Sequence, residues 1–300
     1  MSSSRREGQT FEGRAALVRY ANLVKLPHTL FALPFAMVGV VLASYVKNVT
    51  PSMILWVAIA FTSARFAAMA FNRIVDRRID ALNPRTASRE IPTGIIGVKP
   101  AAIAVIAASG VFLAAASQLN PLCLALAPLA LAWVLGYSYT KRFTRWAHVV
   151  LGIGLGIAPV GGYLAVTGAW SDPWWMLPVL AAAVMTWVAG FDVLYALQDV
   201  AFDRQTGLHS IPAALGEARA LVAARSFHVA TVFALAAVGA AVAAGWVYWL
   251  GVAVVAALLV YEHSLVRVDD LSKLDAAFFT MNGIISIAFF GFVLAERLVR

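Results

Sequence analysis

Charge is scarce in this sequence. Of 300 residues only 13% are Asp, Glu, Lys or Arg, against about 25% in an ordinary soluble domain, which leaves too little polar surface for a fold surrounded by water. Cysteine is scarcer still. Cys123 stands alone in an apolar run, which excludes an intramolecular disulfide and reads as a small core residue. HExxH, GxGxxG and Walker patterns are absent, and His28, His209 and His228 show no metal-ligand spacing, so zinc hydrolysis, Rossmann-type dinucleotide binding and P-loop chemistry lose their signatures. No apolar stretch lies directly behind the opening MSSSRREGQTFEGR, and a cleaved signal is not expected.

What the chain has in abundance is hydrocarbon: 62% of residues are hydrophobic and the mean hydropathy is +0.82. Nine apolar segments are long enough to cross roughly 30 Å of bilayer as helices. They run approximately over 28–46, 52–71, 100–117, 121–139, 147–168, 173–196, 226–244, 246–262 and 278–297. They lack the alternation of barrel strands, so the fold class expected is an all-α, polytopic membrane protein. Residues 1–27 read as a cytoplasmic segment and 28–300 as one transmembrane domain.

The net charge of +8 could suggest a nucleic-acid partner, but the basic residues sit in the gaps between apolar runs, where they meet anionic lipid or a polyanionic substrate. No nucleic-acid partner is expected. Of the 23 Lys and Arg, 19 fall on alternate connections: the amino-terminal segment, 72–99, 140–146, 197–225 and 263–277. By the positive-inside rule these face the cytoplasm of an inner-membrane protein, and the opposite connections are short turns. Long loops on one side mark that side as the place for a site. The second and sixth runs share a pattern of terminal aspartates followed by a polar, Pro-containing loop, which hints at a duplicated four-helix unit with one extra helix.

Two constellations carry chemistry. Asn72, Asp76 and Asp80 stand four apart, one helical turn each, and Tyr195, Asp199 and Asp203 repeat that spacing, with Asp192 seven before Asp199. Magnesium is a hard cation that binds through a carboxylate or two together with substrate phosphates, so two facing carboxylate columns suit magnesium ions held against a diphosphate. One such aspartate could equally close a salt bridge at the interface, with Arg77, Arg78 and Arg204 nearby. Two matched columns argue for function, because ionisable groups at membrane depth are costly. Arg73, Arg85 and Arg89 follow the first motif, and Tyr139, Lys141 and Arg142 close the fourth run. These are phosphate ligands or topogenic charge. Arg65, two turns deeper on nearly the Asn72 face, either pairs with Asp192 or clamps the carboxylate of an acceptor.

At NRIVDRRIDALNPRTASREIPTG (72–94), YSYTKRFT (137–144) and FDVLYALQDVAFDRQTGLHSIPAALG (191–216) the sequence resembles the UbiA superfamily of intramembrane prenyltransferases. The resemblance implies nine helices around a central cavity with a lateral opening and a cytoplasmic cap. It further implies magnesium-dependent ionisation of a polyprenyl diphosphate and attack on an aromatic carbon beside a phenolic hydroxyl. Carried onto these positions, Asn72, Asp76 and Asp80 hold one Mg2+ and Asp199 and Asp203 another. Lys141 and Arg142 then contact diphosphate, while Asp192 and Tyr195 stabilise or orient reacting groups. Within the superfamily the chain looks most similar to the 4-hydroxybenzoate polyprenyltransferases of quinone biosynthesis. HTLFALPFA (28–36), NPRTASREIPTG and GLHSIP look like the menaquinone branch that prenylates a dihydroxynaphthoate carboxylic acid. Arg73, Gln198 and one acid fewer after Asp199 depart from the ubiquinone pattern, leaving both acceptors open. Other acceptors in the superfamily (haem, chlorophyllide, lipid) lack a small aromatic carboxylate. A transporter for an anionic substrate is the non-enzymatic alternative, although transporters place their sites near the midplane.

Overall fold

A computed structural model of the chain describes residues 11–13, 15–267, 270–274 and 276–300, with the side chains of 27–31 and 276, His28 among them, lying outside the description. Every long element is helical, and no β-strand occurs among the described residues. The chain runs α1 (Ala16–Leu23), α2 (Leu26–Ala43), α3 (Pro51–Leu82), α4 (Val98–Leu119), α5 (Pro121–Gly136), a 3-10 turn (Tyr137–Arg142) and α6 (Ala147–Thr167). Then come α7 (Met176–Tyr195), a second 3-10 turn (Ala196–Asp199), α8 (Val200–Thr206), α9 (Ile211–Leu215), α10 (Glu217–Ala241), α11 (Trp246–Leu265), a π-turn (Ala276–Met281) and α12 (Asn282–Val299).

Eight helices, built on α3 to α7 and α10 to α12, are long and apolar enough to cross a membrane. With α2, whose described apolar part is Ala32–Ala43, they account for the nine runs. Thr50 and Asn120 start α3 and α5 by accepting the backbone N–H of Met53 at 3.3 Å and of Cys123 at 2.9 Å, each followed by Pro at the first helical position. α3 has 32 residues, which at 1.5 Å per residue is roughly 48 Å. It therefore outreaches the hydrocarbon by several turns, and its overhanging end carries Asn72, Asp76 and Asp80.

α6 is the spine of the bundle, packed on α7 along one side and on α2 along another. A Cβ on Gly152 would lie 2.3 Å from the Met185 carbonyl oxygen, and one on Gly156 2.7 Å from that of Ala181. Glycines four apart thus let two backbones touch, which in lipid replaces the hydrophobic drive that brings helices together in water. Phe35, Trp187, Tyr248 and Phe289 fill the core between α2, α7, α11 and α12, and Arg297 of α12 donates to Ser44 Oγ at the end of α2 at 2.8 Å, so the first and last spans are neighbours.

One boundary differs from expectation. α10 begins at Glu217, nine residues before the apolar run at 226, because Arg219 and Arg225 lower the hydropathy of turns that still bury Ala220, Leu221 and Ala224. Residues 16–25 also belong with the bundle: Leu23 and Val24 are buried against Ala67, Ala70, Ile91 and Ile96, and Lys25 turns the chain from α1 into α2 in a left-handed conformation, φ 48°.

Candidate active site

The overhanging end of α3 faces the carboxyl end of α7 across a cavity of about 310 Å3. Of fourteen candidate residues thirteen line it: Arg65, Asn72, Arg73, Asp76, Asp80, Arg85, Arg89, Lys141, Arg142, Asp192, Tyr195, Asp199 and Asp203. Asp76 and Asp199, on different spans, therefore open onto the same space at the same end of the bundle.

Each column is tied by cations from elsewhere in the chain. Asp76 receives Asn72 Nδ2 on one oxygen and Arg142 Nη2 on the other, both at 2.8 Å. Beyond α3 the chain folds back, with Arg85 N–H donating to Asn83 Oδ1 at 3.0 Å and Thr86 Oγ1 to the Asp80 carbonyl at 3.0 Å. That turn carries Arg89 Nη1 to 2.6 Å from Asp80 Oδ1. It also carries Arg85 across the cavity, where Nη2 and Nε meet the two oxygens of Asp199 at 2.6 and 3.0 Å, a bidentate, charge-assisted pair. Asn83 Nδ2 adds a bond to Asp199 at 3.1 Å, and Arg85 Nη1 reaches the Tyr195 hydroxyl at 3.3 Å. Arg73 is buried and donates to the Leu23 carbonyl at 3.3 Å, which ties the cavity wall to α1.

The second column is not one continuous α-helix, as its spacing suggested. α7 ends at Tyr195 and tightens into the 3-10 turn before α8 resumes, a change common at helix ends. Gln198 bends back to donate to the Tyr195 carbonyl at 2.9 Å. Tyr195, Asp199 and Asp203 nevertheless all reach the cavity.

Tyr139 is the exception among the candidates. The segment 137–142 is a 3-10 turn with three residues per turn, so Tyr137 and Thr140 share one side, Ser138 and Lys141 the next, and Tyr139 lies beneath Arg142. It is 45% exposed, meets Phe71 edge-on at 6.1 Å and has the Arg142 guanidinium 5.3 Å above its ring. Its ring touches Arg142 from outside the cavity lining.

Asp192 is held by a residue the sequence reading passes over. His148 of α6, wholly buried, places Nδ1 2.6 Å from Asp192 Oδ2. Lys25 also lines the cavity, its ammonium 5.5 Å above the Phe279 ring. It was legible only as one more basic residue of the amino-terminal segment.

The donor set suits a hard cation. Carboxylate and amide oxygens from Asn72, Asp76, Asp80, Asn83, Asp199 and Asp203 surround one space, and hard cations take such oxygens. Asp80 Oδ2 and Asp203 Oδ2 are buried with no hydrogen-bond partner among the described residues, which a polar interior tolerates poorly. The same residues do not converge on a ready-made point: no group of three or more His, Cys, Asp or Glu able to hold a metal occurs among the described residues. The wall carries seven Lys or Arg against five Asp, an excess of positive charge that suits a polyanion.

A second chamber of about 460 Å3 lies deeper, between α3, α4, α5, α6 and α7, and is almost wholly apolar. Arg65, Met69, Tyr137, Leu151 and Leu155 line both spaces, so Arg65 stands where the charged cavity gives way to hydrocarbon.

Comparison with known proteins agrees with this architecture. Residues 32–284 match the UbiA prenyltransferase family. The chain is 31% identical over 249 residues to a 4-hydroxybenzoate octaprenyltransferase of Methylobacillus flagellatus, covering 83% of this chain and 82% of that protein. It is 30% identical to the mitochondrial 4-hydroxybenzoate polyprenyltransferase of Caenorhabditis elegans, covering 79% and 65% of the two chains. The fold superposes on the apo structure of a UbiA homolog from Aeropyrum pernix with a TM-score of 0.82 and 35% identity, over 90% of this chain and 98% of that one. It also superposes on a UbiA homolog from Archaeoglobus fulgidus, solved with DMAPP and Mg2+, with a TM-score of 0.70, over 94% and 100% of the two chains. At 20% identity that likeness speaks for the fold alone.

Proposed function

Because the chain belongs to the UbiA prenyltransferase family, and so is a multi-pass membrane prenyltransferase, we propose that it transfers a polyprenyl group from its diphosphate to a small aromatic carboxylic acid. That acceptor is 4-hydroxybenzoate or a dihydroxynaphthoate, which makes the reaction a step in the assembly of ubiquinone or menaquinone. The observation that carries the reading is the junction of the two spaces: a charged cavity suited to diphosphate opens into an apolar chamber suited to hydrocarbon, with Arg65 between them.

In this reading Asn72, Asp76 and Asp80 on one side and Asp199 and Asp203 on the other hold magnesium, which when bound neutralises charge on the diphosphate as it departs. Lys141, Arg142, Arg85 and Arg89 turn toward the phosphate oxygens, Arg by its fork and Lys as a point charge. The pairs Asp76–Arg142, Asp80–Arg89 and Asp199–Arg85 join the proposed metal ligands to the proposed diphosphate ligands, so both sets are presented at one place. The prenyl C–O bond breaks with its electron pair leaving on the diphosphate, a ring carbon supplies the pair for the new C–C bond, and the displaced ring proton is released. The apolar walls keep water from the carbocation. Arg65 receives the acceptor carboxylate. The concentration of Lys and Arg on the connections at the site's end supports a cytoplasm-facing site in the inner membrane.

Mass spectrometry of the products formed from a polyprenyl diphosphate with 4-hydroxybenzoate or with a dihydroxynaphthoate tests the reading. A prenylated aromatic acid is the expected product, and its absence with both acceptors refutes the acceptor class.

A further inference from the structure

Asp192 stands on α7 one turn before Tyr195 and lines the charged cavity. Its Oδ2 is 2.6 Å from His148 Nδ1. Among the described residues the other ring nitrogen of His148 meets a donor: the backbone N–H of Ile211 points at Nε2 at 3.3 Å. A backbone amide can only donate, so Nε2 must hold a lone pair there. That leaves the proton on Nδ1, and Nδ1 donates to Asp192. The tautomer is thus written by the backbone of another element, a device by which proteins orient His–carboxylate pairs.

The segment that supplies this N–H is itself anchored. Gly207 ends α8 with φ 71°, a left-handed turn that favours glycine. The chain after it crosses to the 3-10 turn, where His209 N–H donates to the Lys141 carbonyl at 2.7 Å. Ser210, wholly buried, then caps α9 by accepting from Ala213 N–H at 3.3 Å. Two backbone donors two residues apart therefore fix the turn that carries Lys141 and the imidazole that holds Asp192.

We propose that His148 is a positioning residue for the transfer reaction. By holding Oδ2 of Asp192 it leaves Oδ1 facing the cavity, oriented to accept a hydrogen bond from the hydroxyl of the aromatic acceptor and so enrich the ring carbon beside it. The proposal rests on the aromatic-acid reading above. A merely structural His148 would instead stitch α6 to α7, and its loss would lower stability and disturb both substrates alike.

The test uses full-length protein in lipid nanodiscs, with His148→Phe to keep the ring volume and His148→Asn to keep the bond. An Asn amide nitrogen takes roughly the place of Nδ1 and still donates to Asp192. H148F should lower kcat by about ten- to a hundredfold, the usual effect of removing such a supporting partner, with the KM for polyprenyl diphosphate unchanged, and H148N should recover most of that loss. A readout independent of turnover is 15N NMR of protein labelled at histidine, with the His148 signals identified by their disappearance in H148F or H148N. A protonated Nδ1 with a bare Nε2 is expected. A protonated Nε2, or an H148N enzyme as slow as H148F, overturns the proposal. An unmodified enzyme that makes no prenylated acid overturns the acceptor reading instead, and the NMR arm then still decides the tautomer.

Discussion

Removing the guanidinium of Arg65 should separate recognition of the acceptor from recognition of the donor. Arg65 lies in the body of α3, seven residues before Asn72 and away from the acidic ends of the helices, in a wall shared by the charged cavity and the apolar chamber. A charge-assisted hydrogen bond contributes about 1.5–3 kcal/mol, and truncating one partner of a buried charge pair costs about 2–5 kcal/mol. The deeper chamber is lined almost entirely by hydrocarbon, which favours the overlap of these ranges, about 2–3 kcal/mol. At 1.4 kcal/mol per tenfold, Arg65→Met should raise the acceptor KM by roughly 30- to 150-fold. The KM for polyprenyl diphosphate should stay near its original value, because Arg85, Arg89, Lys141 and Arg142 remain. Arg65→Lys, which keeps the charge and loses the fork, should fall between. Transfer of radiolabelled prenyl groups in nanodiscs, with each substrate varied in turn, measures both constants. An unchanged acceptor KM, or equal effects on the two constants, refutes the clamp.

Asp76→Ala and Asp199→Ala should each abolish magnesium-dependent turnover while the helical circular dichroism is preserved, and retained activity in either would remove that residue from the proposed metal site. Gly152→Leu should lower the thermal unfolding midpoint by several degrees. A Cβ 2.3 Å from the Met185 carbonyl must push α6 from α7 by about an ångström, and such overpacking costs about 1–3 kcal/mol; an unchanged midpoint would mean the helices can slide apart freely. Tyr139→Leu should leave kcat/KM for both substrates close to the original, because Tyr139 does not line the cavity, and a tenfold loss would show that Arg142 depends on it.

The acidic columns were legible because a four-residue spacing survives any packing: Asn72, Asp76 and Asp80 had to share a helix face once α3 was helical. Their partners were not legible. Arg85 and Asp199 are separated by 114 positions, and only the backward fold of 83–97, set by Asn83 and Thr86, brings them together. His148 was invisible for the opposite reason, a lone histidine in an apolar run whose bond partners come from α7 and from the start of α9. Hydropathy sets the start of α10 too late because it averages over a helix's circumference, and Arg219 and Arg225 mask the apolar stripe beside them. Adjacency along the chain groups Tyr139 with Lys141 and Arg142, whereas the fold sets its ring against Phe71 and beneath Arg142, outside the cavity lining.

α1 and Lys25 adjoin the charged cavity, while Arg297 closes against Ser44 at the far end of α2. The end of α12 therefore lies at the opposite end of the bundle from the charged cavity. A fluorescent reporter that matures only in the cytoplasm, fused after Arg300, would stay dark if the catalytic mouth opens inward, and a phosphatase active only outside would light up in its place.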